Sequence, residues 1–229
     1  ESRACVNAAV SAGARKVYLI EEPVAAALGA GLDLSVPRGR FILDMGGGTT
    51  DIAVLSLNGI VCKKSIKLAG RKLDEAIVRC VRTDRNVLIG EKMAERIKIE
   101  VGSVFYTEDK EMEAKGRNLH TGLPEKFVIR TSDIYDALME QVMQIVTAVQ
   151  QILEITPPEL SADIWEDGLI MTGGGAMLHG LGDLISQHAK IKVRLAEHPV
   201  ECVAIGTALS FSKLDELYDG FVTPSTHTH

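Results

Sequence analysis

The sequence lacks the means to grip a polyanion by charge. Lysine and arginine total 25 against 31 aspartates and glutamates, a formal net charge of −6. Non-specific nucleic-acid binding needs a basic face that this balance does not supply. Cysteine is scarce: Cys5, Cys62, Cys80 and Cys202 are scattered and form no Cys-x-x-Cys pair. That fits reduced thiols in a cytosol and argues against a zinc site or a disulfide framework. No apolar run reaches the roughly 20 residues of a membrane-spanning helix, and no signal-peptide pattern opens the chain. An initiator methionine is missing too. The sequence begins inside a helical pattern, with Ala4, Cys5, Ala8 and Ala9 on one face, and reads as a fragment whose N-terminal part is absent.

What is present is a core-forming chain of 229 residues, 46% hydrophobic and 24% charged, the size of one large domain or two small ones. It is organised around Phe41-Ile-Leu-Asp-Met-Gly-Gly-Gly-Thr-Thr-Asp-Ile-Ala-Val-Leu-Ser56. Two apolar runs, 41–43 and 52–55, read as strands. Three glycines between strands weaken a hairpin unless the backbone bends sharply or approaches something closely. A phosphate chain suits such a loop, because glycine N–H groups can converge on phosphate oxygens while Thr49 and Thr50 add hydroxyls. Asp44, at the strand end, is placed to hold Mg²⁺ through water. The plainer alternative is a tight polar turn. A Walker loop is excluded because no Gly-Lys-Ser/Thr follows, and a dinucleotide fingerprint because a strand follows where a helix should.

In order, the chain predicts a helix over 1–14 and a short buried strand at 17–20. A helix then opens on Glu22-Pro23, where proline and an acid are both favoured; Glu22 is either a helix-start residue or a functional one. Asn58-Gly59 signals a hairpin into a strand over 60–68, and helices follow at 71–82 and 90–102. In the second of these, Met93, Ile97 and Val101 form the buried stripe, and Glu95 and Lys98 lie together on a flank as a surface pair. Short strands are expected at 111–115 and 126–129. A long helix capped at Thr131-Ser132-Asp133 buries Leu138, Val142, Ile145, Val149 and Ile152 and stops at Pro157-Pro158. A short helix to Trp165 and a strand at 169–171 lead into Thr172-Gly-Gly-Gly-Ala176 and a helix over 178–189. Glycines opening a helix expose its free N–H groups to a ligand, or simply make a tight turn. A strand at 191–195 and a helix over 199–217 precede a tail, 223–229, expected to be disordered.

The order of these signals resembles the actin-like ATPase superfamily, and over nearly the whole chain the MreB-type bacterial actins. The resembling segments are Tyr18-Leu-Ile-Glu-Glu-Pro-Val-Ala-Ala-Ala27, Asp44-Met-Gly-Gly-Gly-Thr-Thr-Asp51, Lys67-Leu-Ala-Gly70, Leu88-Ile-Gly-Glu91, Ala94-Glu-Arg-Ile-Lys98, Gly116-Arg-Asn-Leu-His-Thr-Gly-Leu-Pro124, Thr156-Pro-Pro-Glu-Leu160, Thr172-Gly-Gly-Gly-Ala176 and Cys202-Val-Ala-Ile-Gly-Thr207. The resemblance implies an α/β, actin-like (ribonuclease H-like) lobe with a mixed sheet and helices, plus an inserted small α+β subdomain. Residues 1–30 would be a remnant of the N-terminal lobe and a linking helix, 31–70 and 131–222 the core lobe, and 71–130 the small subdomain.

The resemblance also implies roles. Asp44, as the Mg²⁺-linked residue, with Gly46, Gly47, Gly48 and Thr49 would form the second phosphate loop for ATP. Glu95, Arg96, Ile97 and Lys98 would flank the adenosine, and Gly173, Gly174, Gly175 and Ala176 its floor. Glu22 falls where the superfamily orients the attacking water. The first phosphate loop, an Asp-x-Gly-Thr hairpin, and the membrane-contacting element are not in this sequence, so ATP hydrolysis and membrane contact are expected of the parent protein. That parent would be a slow Mg-dependent ATPase. It would assemble into filaments at the inner face of the cell membrane and organise wall synthesis with morphogenesis membrane proteins, without nucleic acid. The alternatives are the ATPase domain of a heat-shock-type chaperone, which should carry a substrate-binding domain after the last helix, and a nucleotide-independent scaffold.

Overall fold

The structure, a computed structural model, describes residues 2–105, 108–213 and 221–222. Helix α1 (Ser2–Ser11) leads to the two-residue strand β1 (Leu19–Ile20), and helix α2 (Glu22–Gly29) starts on Pro23. Strands β2 (Arg40–Met45), β3 (Thr50–Ser56) and β4 (Gly59–Ile66) form an antiparallel meander. Helix α3 (Gly70–Arg85), strand β5 (Val87–Leu88) and helix α4 (Glu91–Val101) follow, then strands β6 (Glu111–Asn118) and β7 (Pro124–Arg130). The long helix α5 (Thr131–Ile155) ends before Pro157, and helix α6 (Pro158–Asp167) leads to strand β8 (Leu169–Thr172). A 3-10 turn (Gly174–Met177), helix α7 (Leu181–Ala189), strand β9 (Val193–Leu195), helix α8 (Cys202–Ser210) and strand β10 (Phe221–Val222) complete the order.

The main sheet runs β4-β3-β2-β8-β9. Its first three strands are antiparallel, and β8 and β9 join parallel to β2. Alternation along the strands sends side chains to opposite faces. Phe41, Leu43, Met45, Ile52 and Val54 join one apolar cluster with α3, α5 and α7, which extends to Val87, Met112 and Ile129 of the three-stranded β5-β6-β7 sheet. Ile42, Ala53, Leu55 and Ile170 face the other way, onto α2 and Cys202. The predicted stripe of α5, Leu138 to Ile152, is buried throughout.

On the second face, α2 and α8 cross with almost nothing between them. A Cβ on Gly29 would strike the Cys202 carbonyl, and one on Gly206 the Ala25 carbonyl. The small residues after Pro23 permit this approach, which fixes α2 and Glu22 against the sheet.

Several expectations shift. The strand expected at 17–20 is only Leu19–Ile20 and is half-buried, because it pairs with β10 rather than with the main sheet. The hairpin turn sits on Leu57 and Asn58 (φ 48° and 62°), with Ser56 opposite Gly59, so the glycine follows the turn instead of making it. Thr131 does not cap α5. The Arg130 N–H donates to Asp133 Oδ2 (2.9 Å), while the Thr131 hydroxyl donates to the Val101 carbonyl (2.8 Å) and ties α5 to the end of α4. In α4, Ala94 takes the fully buried place beside a half-buried Met93. The second glycine triplet opens a 3-10 turn, and α7 begins at Leu181 after Gly180 at φ 80°. The last helix is Cys202–Ser210, continued as a 3-10 turn to Lys213. Residues 214–217 of the expected helix and the tail 223–229 lie outside the described residues.

Candidate functional site

The first glycine loop joins β2 to β3 and docks on the start of α3. Gly46 N–H donates to the Thr49 carbonyl (3.0 Å) and closes the turn. The carbonyls of Gly46 and Gly47 accept from Gly70 N–H (3.1 Å) and Arg71 N–H (2.9 Å), the first amides of α3. The helix therefore consumes the loop's acceptors, while the amides of Gly47 and Gly48 donate to no protein group among the described hydrogen bonds. Successive open amides in a tight turn are the donors from which anion-binding concavities are built. Thr50 is not one of its donors: the side chain is buried and its hydroxyl donates to the Leu68 carbonyl (2.6 Å). Thr49 remains half-exposed at the loop.

Asp44 sits where three strands meet, opposite Asp51 on β3 and beside Thr172 on β8. It is 3% exposed and accepts the Thr172 hydroxyl at 2.6 Å. Burial pushes its carboxyl above the ordinary value; the Thr172 hydrogen bond opposes this and the Asp51 charge adds to it. Glu22, at the start of α2, is also raised, by burial first and then by the charges of Asp44 and Asp51. The fold thus brings Glu22 towards the two acids of the hairpin, Asp44 and Asp51. Glu22 and Asp44 hold their protons more tightly than usual, chiefly through burial, with neighbouring carboxylate charge adding to it. Among the described residues, no group of three or more His, Cys, Asp or Glu is arranged to cage a metal. This donor set fits Mg²⁺ held as that ion prefers, through water and phosphate oxygens with one or two carboxylates, Asp44 being the nearest to the loop.

The second glycine triplet packs on the first. Gly173 has φ 83°, and a Cβ there would collide with the Met45 carbonyl; one on Gly175 would lie 3.1 Å from the Gly46 carbonyl. Backbone contact requires glycine at Gly173, whereas at Gly175 the closest atom is the Met45 side-chain Cγ, at 2.6 Å. Gly174 is exposed and Ala176 is buried in the main core. From the other side, Lys98 of α4 donates to the Gly70 carbonyl (3.1 Å). Lys98 Nζ also lies 2.8 Å from Asp74 Oδ1, an ion pair off the hydrogen-bonding direction. Lys98 therefore pairs with Asp74, not with Glu95. Glu95 is exposed, and Arg96 pairs with Glu100 (2.6 Å). Ile97 has no exposed surface and belongs to the main core, so its part is packing rather than ligand contact. Asp74 and Arg71 were not singled out in the sequence. An acid on the buried face of α3, between Leu73 and Ile77, was the available sign of the first.

A cavity of about 510 Å³ lies elsewhere, over β4 between α3 and α5, lined by Lys64, Lys67, Lys72 and Arg79 with Gln141 and Gln144. It adjoins neither glycine loop. Among the described residues, no helix is long and apolar enough to cross a membrane.

A family model described as MreB/Mbl protein matches residues 1–219. The cell shape-determining protein Mbl of Bacillus subtilis (strain 168) is 46% identical over 218 residues, covering 95% of this chain and 66% of Mbl. The cell shape-determining protein MreB of Escherichia coli (strain K12) is 47% identical over 216 residues, covering 94% of this chain and 62% of MreB. The chain thus spans slightly under two-thirds of these relatives' length. MreB5 of Spiroplasma citri, solved bound to AMPPNP, superimposes with a TM-score of 0.90 at 36% identity, over 94% of this chain and 65% of that one. A chain of the MamK double helical filament superimposes with a TM-score of 0.69 at 21% identity, over 84% and 58%, a likeness of fold alone. None of these matches supports the chaperone alternative.

Proposed function

Because the chain belongs to the MreB/Mbl family and has an actin-like fold, we propose that it supplies the C-terminal lobe of an ATP-binding, filament-forming actin homologue that maintains cell shape. The observation that carries this reading is the state of the first glycine loop, whose carbonyls are bound by α3 while the Gly47 and Gly48 amides stay open beside Asp44.

In this reading Gly46, Gly47, Gly48 and Thr49 hold the phosphates. Glu95 and Lys98 flank the adenosine with Arg96, Gly173–Gly175 form the floor, and Ala176 packs beneath it. Asp44 would hold Mg²⁺ through water, and the ion would neutralise phosphate charge. Glu22 directs the attacking water, a role made of positioning more than of covalent chemistry. Glu22→Ala should therefore lower turnover about tenfold to a thousandfold while ATP affinity changes little. The nucleotide bound to S. citri MreB5 favours nucleotide binding here, and membership of a family of cell shape-determining proteins favours self-assembly. Wall-synthesis membrane proteins as partners, a place at the inner face of the cell membrane, and residues 71–130 as the small subdomain belong to the same proposal.

Calorimetry tests it. Asp44→Ala in the full-length protein should weaken Mg-ATP far more than metal-free ATP. An equal loss in both would remove Asp44 from the metal, and no nucleotide binding by the wild type would overturn the whole reading.

A further inference from the structure

We propose that Arg71 is the phosphate-contacting cation of the first glycine loop, an inference that rests on the nucleotide reading above. Arg71 is the second residue of α3, and it holds the loop twice. Its main-chain N–H donates to the Gly47 carbonyl at 2.9 Å, and its Nε–H donates to the same oxygen at 3.3 Å. This double hold folds the guanidinium back over the loop, next to the two open amides.

Gly48 is shaped for that side chain. A Cβ at Gly48 would lie 2.7 Å from Arg71 Nη2, closer than real carbons approach. Gly48 is not among the residues with positive φ, so the backbone does not demand glycine there. The space above it is what the guanidinium uses.

Among the charges around it, Arg71 helps to lower the Glu75 carboxyl, but less than Lys72 and Arg79 do. Glu75, one turn along α3, is within 2.7 Å of Lys72 and 3.9 Å of Arg79. Lys98, the other cation at the loop, is engaged by Asp74 and the Gly70 carbonyl. Among the described ion pairs, none includes Arg71. A guanidinium presents five N–H donors in a planar fork suited to phosphate oxygens, and the only acceptor described for this one is the Gly47 carbonyl, through Nε. Glu22, Asp44 and Asp51 make the opposite side of the site negative, so a fixed cation is what a phosphate chain would otherwise lack here.

The test measures binding of adenosine, AMP, ADP and ATP to the wild type, Arg71→Gln and Arg71→Lys by NMR titration at fixed salt, with melting curves as a control on folding. Arg71→Gln should weaken ATP and ADP by roughly tenfold, the scale of one charge-assisted contact, and leave adenosine unchanged. Arg71→Lys should recover part of the loss. Gly48→Ala displaces the guanidinium, so it should weaken ATP in the wild type and add little on the Arg71→Gln background, the mark of a shared contact. Unchanged ATP affinity in Arg71→Gln, or an equal loss for adenosine and ATP, overturns the role of Arg71 while the nucleotide site stands. A wild type whose affinity does not rise from adenosine to ATP overturns the phosphate-loop reading itself.

Discussion

Thr172 Oγ1 lies 2.6 Å from Asp44 Oδ1 and donates to it across the parallel β2–β8 pair. Both side chains are withdrawn from water, at 0% and 3% exposure. One hydroxyl therefore joins the two strands from whose ends the two glycine turns spring. Thr172→Val removes the donor at nearly constant volume and leaves a buried carboxylate short of a partner, at a cost of about 1–3 kcal/mol. The bond favours the ionised acid, so the loss should be largest at neutral pH and shrink as acid protonates Asp44. Thermal unfolding of both proteins across that pH range checks it; a pH-independent loss would mean that packing, not the bond, was removed.

Asp44→Asn should act in the opposite direction. The folded protein raises the Asp44 carboxyl above its ordinary value, so the ionised acid works against folding once the pH exceeds the unfolded value. The amide is free of that conflict and should stabilise the unliganded chain at neutral pH by roughly 1 kcal/mol, the usual gain from relaxing a functional site. The gain should vanish as pH falls below the ordinary carboxylate range, where both states are protonated. Denaturant melts at neutral and acidic pH decide it, and an Asn variant less stable at neutral pH would refute it.

The Lys98–Asp74 pair gives a pH signature. Their side chains are 12% and 13% exposed. Burial raises the Asp74 carboxyl, Lys98 holds it down, and Glu95 and Glu91 add to the rise. Lys98→Met strands the carboxylate and should destabilise by about 2 kcal/mol at neutral pH, less than for a fully buried pair, with recovery as Asp74 is protonated. Asp74→Asn strands the ammonium instead, as protonation of Asp74 does in the wild type, so this variant and the wild type should converge in acid. A Lys98→Met penalty that does not shrink in acid would show that the pair is not the coupling.

Gly206→Ala forces a methyl into the Ala25 carbonyl. Overpacking in a rigid contact costs about 1–3 kcal/mol or more, and the melting temperature should fall by several degrees. A melting temperature within error of the wild type would show that α8 can retreat from α2.

Much of this was legible in local pattern. Apolar runs placed β2 and β3, spacing by three and four residues placed the buried stripe of α5, and the order of the glycine triplets located both turns. What escaped depends on which way a residue faces and on contacts between elements. Ala94-Glu-Arg-Ile-Lys98 reads as one motif, yet each helical step turns about 100°. Glu95 and Arg96 thus reach solvent, Ile97 enters the core and Lys98 points at α3. Lys98 finds Asp74 only because α3 and α4 pack side by side, which no spacing within either helix reveals. The β3–β4 turn was misplaced by one residue because ladder register outweighs the preference of Asn-Gly, leaving Leu57 in a left-handed conformation.

Helices that touch through side chains can slide when a rotamer changes. At the crossing of α2 and α8 the facing groups are carbonyls, and a backbone has no rotamers to exchange. The joint leaves little room for α8 to shift without meeting the backbone of α2. Glu22, which opens α2, thus sits at the head of the helix that α8 braces.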